Sequence, residues 1–410
     1  MALALAGAAV AGEPARVRHF QDVGGAAIPR GVVASGLQDR QGLVWVGTGD
    51  GLVRFDGQRF RPMEREGVPP AQRNLGWVRA LLATRDGRVW IGTESRGLAR
   101  WDPAAGRVQD VPDRHPGVDA QPQILALAEA ADGAVWVGLL GGGLQRVDAA
   151  TGALQAFRRS DGAEGSLPDD RVFALLPQAD GALWLGTGSG LARRGVDGRF
   201  ERVALDGAAV TRLLRTADGS LWAGTERGAL WRRDPAGRWS ATRADGRGGR
   251  GAVQALLEAQ PGELWVGRSD GIDVVATADE SVRHRLRHDP RAAGGLGSSD
   301  VTALWRDREG WVWVGSLGGG LQRHNPQPQA LWVRGADADP DSPLSRPDAR
   351  SLLADRQGRV WVGTHDAGIA VLDAGLRLRH RLLLQPGAAE QPPVQALAQT
   401  ADGSVWAATA

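Results

Sequence analysis

The sequence has no cysteine, which excludes disulfides, thiol catalysis and cysteine-held metals while fitting a reducing or an oxidising compartment alike. It has no lysine either: all 49 basic residues are arginine, set against 47 Asp and Glu, so the net charge is only +2. The high isoelectric point follows from that arginine usage rather than from a large charge excess. No basic run stands apart from acidic neighbours, so nucleic acid is not an expected partner. Long polar tracts, the mark of disorder, are missing, and so is any segment with a sustained 3.6-residue apolar period of helical length. A chain of 410 residues without helices and without disorder calls for many short strands.

What is present is a repeat. Nine times a small apolar residue is followed twelve positions later by Trp: Val33/Trp45, Val78/Trp90, Ile124/Trp136, Val172/Trp184, Val210/Trp222, Val253/Trp265, Val301/Trp313, Ala349/Trp361 and Val394/Trp406. Gly stands two places after the Trp in all but the last copy, where Ala408 replaces it. The distance between successive Trp residues varies from 38 to 48, so insertions fall outside a fixed twelve-residue module. Such an array carries great length without one deep core. The apolar start Met1 to Gly12 ends in Ala9-Val10-Ala11, the small-x-small form of a signal-peptidase site. It is too short to span a bilayer, which takes roughly 20 residues, and is expected to be the remnant of a secretory signal peptide, residues 1–12.

Each module is expected to be strand, turn, strand. Val78-Arg79-Ala80-Leu81-Leu82 is short and apolar, an Asp/Gly turn follows at Arg85-Asp86-Gly87, and the second strand carries the Trp. A third strand such as Gly97 to Asp102, and a weaker fourth such as Ala153 to Phe157, complete four antiparallel strands. Repeats of roughly 45 residues with four short strands and one Trp predict an all-β β-propeller of four-stranded blades, nine units in all. The third position of the first strand is mostly Ala, with Ser35 and Ser351 as variants and Arg212 as the exception; small residues suit strands crowded about an axis. The Gly after each Trp is expected to let the next backbone come close. The nine Trp residues and the Thr that follows the Gly, as at Thr48, Thr93, Thr187, Thr225 and Thr364, are assigned to architecture rather than to binding.

Residues 42–57, Gly-Leu-Val-Trp-Val-Gly-Thr-Gly-Asp-Gly-Leu-Val-Arg-Phe-Asp-Gly, and 87–93, Gly-Arg-Val-Trp-Ile-Gly-Thr, resemble two-component regulator propeller repeats. The loops Ser166-Leu167-Pro168, Gly295 to Val301 and Ser342 to Asp348 are similar to that family's Ser-Leu-Ser linker. The resemblance covers about residues 20–410. It implies the periplasmic sensor region of bacterial hybrid histidine kinases, one-component regulators or diguanylate cyclases, with two seven-bladed rings followed by an immunoglobulin-like domain, a membrane helix and an output domain. On that pattern residues 20–330 form a seven-bladed ring and 331–410 begin a second, incomplete one; a single eight- or nine-bladed ring is the alternative. Since the ninth repeat stops just after its Trp, the chain is expected to lack the rest of the sensor and its output domain, and to meet a membrane only through that absent helix.

In such a blade the loop leading into the inner strand and the loop after the Trp strand emerge on one face, and the variation in length is concentrated there. Function on a rigid scaffold resides in such loops. The candidate ligand-binding residues are Trp77, Arg79, Glu94, Arg96, Gln123, Asp170, Arg171 and Asp300, with Asp50, Glu226, Arg227, Asp270, Asp348, His365 and Asp366 on the same face. Trp, Arg and carboxylates together suit a sugar or an acidic glycan. The alternating Asp337, Asp339 and Asp341 lack the Gly and Glu of a calcium loop, with Ser342 in the Gly position. The seven His residues are scattered, and no acid/base pair stands out. No catalytic residue, metal or cofactor is therefore expected. The reading is a ligand-sensing propeller, against a propeller-fold lyase or glycoside-acting enzyme, which needs converging His, Glu and Arg, and against a protein-interaction scaffold, such as a homodimer, marked by an exposed apolar patch.

Overall fold

The structure, a computed structural model, describes residues 18–111, 123–242, 251–292, 294–326, 348–373, 378–388 and 390–409. The signal remnant, His115 and the acidic loop with Asp337, Asp339 and Asp341 lie outside the described residues. Among those described, regular structure is all β apart from three single turns of 3-10 helix. The chain divides into two compact units, one of His19–His288 with Gly295–Gln327, the other of Met1–Arg18, Asp289–Gly294 and Pro328–Ala410.

The turn after the inner strand shows how local sequence builds the module. Asp39 accepts the backbone N–H groups of Gln41 and Leu43 at 2.9 and 3.0 Å. Gly42 takes φ 87°, a left-handed conformation that costs a residue without Cβ little. The other oxygen of Asp39 accepts from Trp45 Nε1 at 2.7 Å. Asp307 does the same for Trp313 at 2.7 Å, Asp355 for Trp361 at 2.8 Å, and Thr216 Oγ1 for Trp222 at 3.1 Å. The turn thus ties down the polar end of a ring that is otherwise buried. The Thr after the Gly is equally local: Thr48, Thr93, Thr187 and Thr364 each donate to a carbonyl three or four residues on, at 2.8–2.9 Å.

In the larger unit the strands form seven four-stranded antiparallel sheets. Sheet 1 runs Val33–Gln38, Val44–Thr48, Gly51–Phe55, Phe60–Met63. Sheets 2 to 6 repeat it, with inner strands Val78–Ala83, Ile124–Glu129, Val172–Pro177, Val210–Arg215 and Val253–Gln260. Sheet 7 has Val301–Arg306, Val312–Ser316 and Leu321–His324 from its own repeat, and takes its outer strand, Gln21–Val23, from before the first repeat. The sequence predicts that every module completes itself; here the seventh is completed by the other end of the series. Each inner strand packs on the next, and Val301–Arg306 packs on Val33–Gln38, so the seven sheets close into a ring.

The reason for the Gly after the Trp is direct. A Cβ on Gly47 would meet Val78 Cγ1 at 2.8 Å, on Gly138 Val172 Cγ1 at 2.9 Å, and on Gly267 Val301 Cγ1 at 3.0 Å. In each case an obstacle is the first residue of the next sheet's inner strand, joined at Gly47 by Ser35 of its own sheet. At the closing seam, Gly315 faces Val33, whose Cβ would lie 2.9 Å from the added carbon. Val and Gly, the two ends of the module, are thus the two sides of every seam between sheets. The Trp beside the Gly is buried in all seven sheets, Trp184 being the most exposed at 6 %. Burial of ~150–250 Å² per Trp gives on the order of 4–6 kcal/mol of gross transfer energy at ~25 cal/mol per Å².

The smaller unit holds one four-stranded sheet, Ala349–Ala354, Val360–Thr364, Ile369–Leu372 and Leu378–Leu382, and the two-stranded pair Val394–Gln399 and Val405–Thr409. Its seam repeats the rule, with a Gly363 Cβ blocked by Val394 Cγ1 at 2.6 Å. Trp406 is 66 % exposed, and the nearby Ala408, in the position Gly holds elsewhere, is exposed too.

Candidate functional site

Both loops of a sheet do emerge together, and a recurrent backbone hydrogen bond holds them. The residue before the inner strand accepts from the residue after the Trp strand: Glu94 N–H to Trp77 O at 2.9 Å, Leu140 to Gln123 at 2.9 Å, Gly188 to Arg171 at 3.0 Å, Glu226 to Ala209 at 2.9 Å and Leu317 to Asp300 at 2.9 Å. This bond fixes the side chains on either side of it. On sheet 2 it brings four of the expected residues together. The Arg79 guanidinium lies 4.5 Å from the ring centroid of Trp77, a cation–π distance, and pairs with Glu94 at 3.2 Å. Gln123, from the loop leading into sheet 3, donates to the other Glu94 oxygen at 3.3 Å. Trp77 Nε1 and Arg79 Nε are buried and have no hydrogen-bond partner in the protein. Both atoms are closed off from solvent, so what the cluster presents is an aromatic face and the terminal nitrogens of a guanidinium, a combination that suits a hydroxyl- or oxyanion-bearing ligand.

The sequence profile of the two-component regulator propeller matches residues 73–95 and 343–366. These two segments are similar to two-component regulator propeller repeats. The first matched segment holds Trp77, Arg79 and Glu94 themselves. Among solved structures the chain is similar to an extracellular domain described as that of the hybrid two-component system BT3049 of B. thetaiotaomicron, with TM-score 0.73 and 20% identity over 96% of this chain and 52% of that one. The corresponding domain of BT4673 from the same organism gives 0.63 and 20% over 96% and 57%. Virginiamycin B lyase of Staphylococcus aureus gives 0.54 and 14% over 75% and 98%. These likenesses establish the fold. The chain spans about half the length of the two extracellular domains, and no curated protein matches it.

The other expected residues of the repeats stand apart from the Trp77 cluster. Arg171, on sheet 4, lies across Gly188 and is held by both oxygens of Asp169, Nη2 at 3.0 Å and Nε at 3.2 Å. That bond pushes the arginine pKa up. Burial works to raise Asp169, but the bonds from Arg171 outweigh it and hold the carboxyl low. Asp170 accepts from Arg159 N–H at 2.8 Å and faces Arg158 at 3.8 Å. Asp300, on sheet 7, keeps a buried oxygen without a partner. Arg96 sits beside Gly76, with its N–H bonded to Thr93 Oγ1 at 2.9 Å. Asp50 accepts from Asn74 at 3.3 Å, and Asp270 faces Arg287 at 3.5 Å. Asp348, His365 and Asp366 belong to the smaller unit. A cleft of about 430 Å³ between the outer strands of sheets 1 and 2, bordered by Met63, Arg65, Trp101 and Arg107, contains none of the expected residues.

Two of the four described histidines of the ring unit are used structurally. His324 is bonded to His19 O at 2.9 Å and stacked on Trp265; His288 is bonded to Leu296 O at 2.5 Å. Among the described residues no group of three or more His, Asp or Glu side chains is placed to hold a metal. One residue in the ring carries a signal that the loop argument passed over. Arg212 occupies the third position of an inner strand, where the other six sheets have Ala or Ser.

Proposed function

We propose that this chain is the ligand-sensing propeller region of a bacterial transmembrane signalling protein, a histidine kinase or a diguanylate cyclase, with its repeats in the periplasm. The loop face of the ring binds an extracellular oligosaccharide, and residues 331–410 belong to a second propeller. The observation that carries this reading is the Trp77–Arg79–Glu94–Gln123 cluster. An aromatic face and a guanidinium are gathered at the loop end of a closed, rigid ring, inside a segment that matches the regulator repeat. The extracellular placement of the structurally similar domains supports the location, and no helix of the described residues is long and apolar enough to cross a membrane.

A thermal-shift and calorimetric screen of oligosaccharides tests the reading. The expected result is a saturable stabilisation by one sugar class that Trp77→Ala abolishes. A full panel without any response, or a response indifferent to Trp77→Ala, overturns it. The lyase alternative shares the fold but wants histidine in the cluster, and none of Trp77, Arg79, Glu94 and Gln123 is one. The scaffold alternative wants an exposed apolar patch; among the described residues Leu352, Leu383 and Trp406 are exposed in the smaller unit, and Leu140 and Val196 in the ring.

A further inference from the structure

Arg212 breaks the rule of its position. Ser35, Ala80, Ala126, Ala174, Ala255 and Ala303 hold the same place in the other six sheets, and each leaves the strand free to pack close to the axis. An arginine there has no room between sheets and must send its guanidinium toward the space the inner strands enclose. Its one hydrogen bond is from Nη1 to the carbonyl of the neighbouring Thr211, at 2.7 Å. No carboxylate pairs with it among the described residues, although carboxylates are plentiful on this protein and the two buried arginines each have one, Arg65 with Asp110 at 3.0 Å and Arg268 with Asp273 at 3.0 Å.

The only other charge that acts on it is of the same sign. Burial, and after it the repulsion of Arg79, pull the Arg212 pKa down to about 10. Arg79 stands on sheet 2 and Arg212 on sheet 5, with two sheets between them on one side of the ring and three on the other. Strands so placed do not adjoin, so the repulsion between the two arginines acts across the ring rather than along one seam. Arg79 is half satisfied, by Glu94 at 3.2 Å, and keeps Nε buried without a partner. Of the two guanidinium groups, only that of Arg79 has a carboxylate partner among the described residues. A half-buried cation without a counter-charge is costly, and a fold retains one where a partner of opposite charge arrives from outside.

We propose that the channel of the ring is an oxyanion site, in which Arg212 and Arg79 bind one carboxylate, sulfate or phosphate group of a ligand from opposite sides. This rests on the reading of the Trp77 face as the ligand site and adds that the ligand is negatively charged. Guanidinium groups present paired N–H donors that match such oxygens. Trp77, stacked on Arg79, then meets the uncharged part of the same molecule.

The test titrates the full chain with inorganic sulfate, inorganic phosphate and glucuronate at constant ionic strength, with glucose as the neutral counterpart, by calorimetry. Wild type is compared with Arg212→Ala, Arg212→Gln and Arg61→Ala. Arg212→Ala restores the residue that the repeat itself uses, so the fold tolerates it; Arg212→Gln keeps the length and removes the charge. Saturable binding of at least one anion is expected, weakened about tenfold or more by either Arg212 variant and left within about twofold by Arg61→Ala, an exposed arginine of the outer strand of sheet 1. Binding of glucuronate alone assigns a carboxylate, and binding of sulfate or phosphate a tetrahedral anion. No saturable anion binding, or binding that survives both Arg212 variants, overturns the proposal. A neutral oligosaccharide that binds through Trp77 and ignores Arg212 overturns it while leaving the sensing face intact.

Discussion

Gly315→Ala is the sharpest test of the seam between sheets. The added carbon would lie 2.9 Å from Val33 Cβ, nearer still to its Cγ1, and 3.2 Å from Ala303 Cβ. Val33 is fully buried and starts the inner strand of sheet 1, so neither side can yield without opening the ring. Overpacking of this kind costs about 1–3 kcal/mol, from which ~0.5–1 kcal/mol is returned because Ala has less conformational freedom to lose than Gly. Val33→Ala alone removes two methyl groups and leaves a cavity, about 2–3 kcal/mol. The double variant should be less damaged than the sum of the two by about 1 kcal/mol or more, since Val33 Cγ1 is the nearest obstacle. Urea unfolding followed by tryptophan fluorescence measures all three, with the smaller unit watched by the parallel pair Gly363→Ala and Val394→Ala. The reasoning fails if Gly315→Ala costs under about 0.5 kcal/mol, or if the two substitutions add within that error.

Asp39→Ala should destabilise the ring by about 1–3 kcal/mol, because it strands the indole N–H of a fully buried Trp45, whereas Asp39→Asn, which keeps an acceptor oxygen, should cost less; chemical denaturation separates the two. The carboxyls of Asp86 and Asp218 are raised by burial, but hydrogen bonds led by those from Thr84 and Thr216 outweigh this and hold both below the ordinary 3.8. Their stabilisation is complete above pH 3.8 and is lost as the pH falls through the lower folded values, so melting temperature should be flat near neutrality and drop in that acid window. Asp355, which burial raises but hydrogen bonds from Trp361 and Arg359 bring down to about 2, should carry the smaller unit through the same window. With no anion present, Arg212→Ala should raise the unfolding free energy by about 1–3 kcal/mol; a loss of stability would mean that the guanidinium has compensation within the protein.

The all-β class, the module and the reason for its Gly were legible because they are local or repeated. The Val-to-Trp register is the distance from one side of a seam to the other, so a spacing in the sequence is a contact in space. What was not legible depends on the ends of the series meeting. Gln21–Val23 has no Trp, no Gly turn and no module around it, and its pairing with Leu321–Arg323 spans three hundred residues; only the missing fourth strand of the seventh repeat could have pointed to it. Among site residues, Trp77, Arg79 and Glu94 were visible as charged and aromatic residues flanking one module, and Gln123 as the residue leading into the next. Asp170, Arg171 and Asp300 had the same signature, yet they are neutralised or placed elsewhere, since one-sheet spacing says nothing about which side chain pairs with which.

Arg212 shows the opposite kind of signal. Loop residues vary in any repeat array, so an unusual loop residue says little. A strand position that is small in six sheets and arginine in the seventh is informative because packing penalises the exception, and burial without a carboxylate penalises it again. Two penalties accepted at one position need one cause. Crowding near the axis explains the six small residues, and it leaves the seventh as the place where the inside of the ring is prepared for a charge that the chain itself does not supply.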